Sequence, residues 1–294
     1  MNKLPLETRV RILNMLVEEF SMRSISRVCD VSINTVTKLL VDAGAAAEAF
    51  HDKTVRGLKT TNLQCDEIWS FYKAKKGNIG KMKHPTLDAG DIWTFTALDR
   101  DSKLIVTWFA GDRTSKSAET FLGDAAERIE TPVQLSTDGF NAYEGAVAKT
   151  FGARADSSYG QIVKKYGATS DRGPERKYNP GVRIAAEKEP IFGSPDKAAI
   201  STSHVERMNL NMRMGMRRFT RLTNAFSKKF DNHLLALALY FFHYNFCRIH
   251  KSLRTSPAQA AGVTDELLSM EHLCQLIDAA IPPTKRGPYK KKAA

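Results

Sequence analysis

The stretch Leu63-Gln64-Cys65-Asp66-Glu67-Ile68-Trp69-Ser70-Phe71-Tyr72 decides the fold class. Its aliphatic and aromatic side chains, with no proline or glycine among them, read as a β-strand buried in a core. Two more runs of this kind follow at Asp91–Leu98 and Lys103–Ala110, joined by the polar turn Asp99-Arg100-Asp101-Ser102, which suits a hairpin. Ala118, Phe121, Leu122 and Ala125 share one face of a helix expected over Thr114 to Ile129. A short strand at Val133–Thr137 and a helix at Asn141–Phe151 come next. Three strands, a helix, a strand and a helix predict an α/β fold, a mixed sheet covered by helices.

Outward from this pattern the chain divides unevenly. Residues 152–200 scatter glycine, proline and charge without a sustained period, and are expected to be an irregular insertion. Helix is expected to resume near Ser203 and extend past Arg218, and again from about Lys229 to Cys247. The main domain is therefore placed at 63–265, a C-terminal helix at 266–281, and a disordered basic tail at 282–294.

Upstream, residues 1–46 are expected to be all-helical, with Leu6, Val10, Leu13 and Val17 at helical spacing. Within Ser24 to Leu40 the spacing predicts a short helix at 24–29 and a tight turn near Asp30-Val31. A second helix, capped by Ser32, is expected to run to about Ala43. This is the helix-turn-helix arrangement. Its second helix would turn Asn34, Thr35, Thr37 and Lys38 outward, towards base edges and phosphates of a major groove. A small helical bundle with a polar face fits the same pattern. Residues 47–62, polar and basic, are expected to be a linker.

Composition limits the partners. Over 294 residues, 44 lysines and arginines against 32 acids give a formal net charge of +12, which suggests a polyanion. No apolar run approaches the roughly 20 residues of a membrane span, and Glu7, Arg9, Arg11 and Glu18 break up what would be a signal peptide. Nucleic acid is the better partner, and a cytoplasmic protein is expected. Cys29, Cys65, Cys247 and Cys274 form no CxxC pair and read as reduced thiols.

Three acids stand out by their surroundings. Asp66 lies in an otherwise buried strand, where a carboxylate is costly without a metal, a partner or water. Asp138 ends Val133-Gln134-Leu135-Ser136-Thr137-Asp138-Gly139, at a strand mouth where ligand sites gather, and Gly139 allows a sharp turn. Glu206 lies on a helix, with Asn209 and Arg213 following on the same face. Two strands and a helix can bring such carboxylates together on hard cations. Two ions about 4 Å apart would serve an in-line phosphoryl displacement. Each acid also has a plainer reading, as a turn former or a solvated helix residue. Glu67 competes with Asp66, but neighbouring strand residues point to opposite faces, so Asp66 is preferred.

The sequence resembles the DDE transposases of bacterial insertion sequences, a branch of the RNase H-like superfamily, and most of all the family of the first-named insertion sequence. Cys65-Asp66-Glu67-Ile68-Trp69, Thr137-Asp138-Gly139 and His204-Val205-Glu206-Arg207-Met208-Asn209 resemble its three acidic blocks. Tyr244 to Leu253, followed by Pro257 and Ala260-Ala261-Gly262, resembles the C-terminal signature of related transposases and integrases. The resemblance covers about residues 60–265. It implies an RNase H-like fold, Asp66, Asp138 and Glu206 as the catalytic and metal-binding triad, and magnesium as cofactor, as two ions that manganese can replace. It further implies double-stranded DNA as substrate, both terminal repeats and target, and a bacterial, nucleoid-associated setting. Joining two ends requires at least a homodimer.

Arg213, Arg217 and Arg221 recur every four residues and are expected to form, with Asn209, one helical stripe against phosphates. His243, Cys247 and His250 imitate a zinc face, but the aromatic residues around them favour a packed helix. Two rivals stay open: a metal-dependent nuclease of the same fold, and a non-enzymatic helix-turn-helix regulator.

Overall fold

The computed structural model describes residues 3–86, 88–167, 183–220 and 224–280. Six strands form one mixed sheet: β1 (Asn62–Tyr72), β2 (Gly90–Asp99), β3 (Ile105–Gly111), β4 (Gln134–Asp138), β5 (Ser158–Tyr166) and β6 (Arg183–Phe192). Their spatial order is β3-β2-β1-β4-β5-β6. The first three strands are antiparallel, and the Asp99 carboxylate closes the turn after β2 by accepting from the Ser102 amide at 3.2 Å. Parallel pairing of β1 with β4 and of β4 with β5 requires crossovers. Helices α4 (Ser115–Arg128) and α5 (Ala142–Thr150) supply them. The central strand β1 is buried on both faces, as a covered sheet demands.

The span expected to be irregular, 152–200, contains β5 and β6, which pair antiparallel. Only the first four residues of β5 are buried, and most of β6 is exposed and interrupted by Pro190. An edge hairpin reaching past the core has no apolar face to impose a period of two.

The N-terminal helices are α1 (Leu6–Val17), α2 (Met22–Val28) and α3 (Ile33–Thr54). Ser21 and Ser32 cap α2 and α3, accepting from the Ser24 and Thr35 amides. The turn between them uses Asp30 at φ 49°. Helix α3 does not stop near Ala43. It runs on through the stretch expected to be a linker, because Ala43, Ala47 and His51 give it a buried stripe while its polar residues face out. Phe50 packs edge-on against Phe242 and Phe246, and His51 Nε2 donates to the Ile105 carbonyl at 3.2 Å. Arg128 bonds Asp52, Asp124 and the Val55 carbonyl.

The remaining helices are α6 (Ser203–Gly215), α7 (Phe230–Phe242), which passes into a π-helical turn at His243–Cys247, α8 (Pro257–Ala260) and α9 (Met270–Ala280). One continuous apolar cluster runs from Ile12 in α1 to Ile277 in α9. The boundary expected at residues 46/47 is therefore crossed by a helix and by the core. The segment 282–294 lies outside the described residues. No described helix is long and apolar enough to cross a membrane.

Candidate metal centre

Strands β1 and β4 pair in parallel from Asn62 opposite Gln134 to Gln64 opposite Ser136. Two residues further along each strand stand Asp66 and Asp138, just where the pairing ends. Oxygen atoms of Asp66, Glu67 and Asp138 all lie within 4.8 Å of one another, the one such acidic group among the described residues. The first and second acids expected from the sequence are thus brought together by strand register.

Their partners hold them in place without neutralising them. Asp66 accepts from the Glu67 amide at 2.9 Å and from Asn209 Nδ2 at 2.8 Å. Asp138 accepts from the Phe140 amide at 3.1 Å, which makes the turn after β4; Gly139 keeps an ordinary φ there. No ion pair reaches either carboxylate among the described residues. Burial, then the charges of Asp138 and Glu67, push Asp66 up to about 7.

Glu67 shares the cluster, contrary to the expectation that only one of two neighbours reaches it. Its side chain does point to the opposite face, towards α4 and α5. There Arg113 Nε donates to it at 2.7 Å and the Tyr143 hydroxyl at 3.0 Å. The gap where β4 parts from β1 lets its carboxylate lie near Asp138 from that side. Arg113 is sandwiched between the Trp93 and Phe140 rings, 4.8 and 4.1 Å from their centres. Glu67 is 8% exposed, and burial and Asp138 raise its pKa despite Arg113.

Glu206 stands apart from this group. Its carboxylate accepts from Lys164 on β5 and from the Thr202 hydroxyl. It is still near enough for its charge to contribute to the rise at Asp66. Asn209, expected among the DNA contacts, is buried one turn on and orients Asp66 instead. Its own carbonyl oxygen has no donor among the described residues. The site is rich in oxygen ligands and short of positive charge, which suits a hard divalent cation. These residues fit one.

The expected arginine stripe is broken. Helix α6 ends at Gly215, Arg213 is half-buried in its last turn, and Arg217 is exposed in a 3-10 turn that follows. Arg221 lies outside the described residues. On α3, Asn34 and Lys38 are exposed, with Lys38 paired to Asp42, while Thr35 and Thr37 are half-buried and bonded to Ser32 and the Ile33 carbonyl. His243, Cys247 and His250 form no metal-ligand group among the described residues; burial lowers His243 to about 4 and raises Cys247 to about 12.

Sequence reasoning missed Arg113, Tyr143 and Lys164. Tyr143, in the first turn after Asp138, was detectable by position alone. Lys164 lay in the unassigned span.

No protein-family model matches this chain, and no curated protein matches it significantly.

Proposed function

We propose that the chain is a metal-dependent DNA transposase of RNase H-like fold. The reading is carried by one observation: Asp66 and Asp138, on adjacent parallel strands, meet with their charges uncompensated. The sheet order, with three antiparallel strands followed by two parallel ones, is compatible with that fold.

In this account Asp66 and Asp138 hold magnesium, and Glu206 is the third acid once its carboxylate leaves Lys164. Bound there, a pair of ions supplies activation of a water or 3′-hydroxyl and stabilisation of the leaving oxygen. Asn209 fixes the Asp66 carboxylate, and the Phe140 amide fixes that of Asp138. Arg113 and Tyr143 restrain Glu67 so that its charge adds to the field without leaving its own pocket. Helices α2 and α3 are the element that reads duplex DNA, through Asn34 and Lys38 first because these are exposed. A homodimer brings two DNA ends together.

The test is a joining assay with end-bearing DNA and magnesium. Joined products from wild type, lost in Asp138→Asn with DNA binding retained, are expected. Cleavage without joining would instead indicate a nuclease, and unchanged activity in Asp138→Asn a non-enzymatic regulator.

A further inference from the structure

Away from the carboxylates, a groove of about 1270 Å³ lies between α1–α3 and the segment running from Gly215 into α7. Its lining carries Arg23, Lys75, Arg217, Arg218, Lys228 and Lys229 against a single acid, Glu19. Apart from Lys75, none of these cations forms an ion pair among the described residues. Arg218 is the most telling. Its guanidinium is partly desolvated and, among the described residues, donates to neutral oxygens, Ser227 Oγ at 2.9 Å and the Asn232 carbonyl at 3.2 Å. Burial lowers it to about 10, with no carboxylate among the described residues opposing the shift. Arg218 is half-buried, and a partly desolvated cation without a counter-charge among the described residues favours an anion.

Two further features point to a ligand. The Tyr240 hydroxyl, 4% exposed and on the groove lining, has no hydrogen-bond partner among the described residues. Phe20, on the same lining, leaves 49% of its surface exposed. Basic side chains beside an exposed aromatic ring are what an unpaired strand requires, with phosphates on the cations and bases stacked on the ring. A duplex, its bases already stacked, has no use for the ring.

We propose that this groove binds a single strand of DNA, with Arg218 and Tyr240 bonding its phosphates and Phe20 stacking a base. The inference rests on the transposase reading only for the identity of the nucleic acid. It also explains a connection to the metal site. Ser70 follows Asp66 on the same face of β1 by four residues, about 13 Å along the strand. Ser70 meets His233 at 3.4 Å, His233 meets Ser227 at 3.1 Å, and Ser227 accepts from Arg218. These buried hydrogen bonds tie the groove lining to the strand that carries Asp66.

The test is fluorescence anisotropy of a labelled single-stranded oligonucleotide with the full chain in EDTA. Tyr240→Phe is expected to weaken binding severalfold while thermal stability holds or rises, since a merely buried orphan hydroxyl would be neutral to lose. Phe20→Ala, at an exposed position, should cost about tenfold. Arg217→Ala with Lys229→Ala should flatten the slope of log K against log salt by about 1.4, two single-strand phosphates' worth. A duplex probe should show smaller losses than the single strand. The proposal is overturned if these variants bind like wild type, if the duplex loses as much, or if millimolar inorganic phosphate displaces the strand. Should the groove variants weaken binding while the wild type yields no joined DNA, the transposase reading alone falls.

Discussion

Asp66 and Asp138 repel one another across the gap between two strands, and the native chain bears that cost whenever no cation sits between them. Asp66 has a folded-state pKa of about 7 against 3.8 when unperturbed, so the unfolded chain releases its proton first. The penalty grows as pH rises from about 4 to 7 and is complete above that. In EDTA at pH 8, Asp66→Asn should therefore stabilise the protein, by about 1–4 kcal/mol. Thermal melts should show the gain fade as pH falls from 7 and vanish below 3.8, where both states are protonated. The third acid is also decided at this scale. Glu67 is held by the exposed Arg113 and the buried Tyr143, so Glu67→Ala leaves the Tyr143 hydroxyl buried without its partner and should cost about 1–3 kcal/mol in denaturant melts. Glu206→Gln loosens Lys164 and keeps an oxygen for the Thr202 hydroxyl, so it should leave stability within about 1 kcal/mol while abolishing joining. The reverse pattern would make Glu67 the ligand.

At the scale of the element, the parts that the chain spells out most clearly are those with a buried face. Strands β1 to β4 and helices α4 and α5 fall within two residues of their expected limits, because each repeats its apolar residues at its own period. The β5–β6 hairpin was not legible: the strand that holds Lys164 is half outside the core, so its sequence answers to solvent and charge. Helix α3 outruns its expected end because its inner stripe there is alanine and glycine rather than leucine. The reason is packing. A Cβ on Gly44 would stand 2.3 Å from the Leu235 carbonyl oxygen of α7, so only glycine allows the two helices to approach so closely. Gly44→Ala should cost on the order of 1–3 kcal/mol in chemical unfolding, although alanine is the better helix former. A neutral or stabilising outcome would mean that α3 and α7 do not meet there. Of the site, Asp66 and Asp138 were legible because each sits at odds with its strand. Asn209 and Glu206 were legible as one face of a helix, but not in their partners, which come from distant segments.

For the whole molecule, the consequence is that the N-terminal helices and the sheet share one core. Phe50, His51 and Arg128 join α3 to the sheet and to α7. Calorimetry of the full chain should give one cooperative transition, and a fragment beginning at residue 63 should not fold cooperatively, since it exposes the apolar faces of α7 and α9. Two independent transitions would contradict this. Acid should weaken the same joint. His51 and His233 are buried and neutral, each lowered to about 3. With folded values below the ordinary 6.5, their contribution is complete above pH 6.5 and is lost as pH falls towards 3. His51→Gln should lessen that loss in urea titrations between pH 6.5 and 4. The central claim remains the meeting of Asp66 and Asp138 over a cation. Electron paramagnetic resonance of added Mn2+ tests it most directly. Saturable binding at pH 8, lost in both Asp66→Asn and Asp138→Asn and retained in the groove variant Phe20→Ala, is the predicted result. Binding that survives either carboxylate substitution would contradict the account.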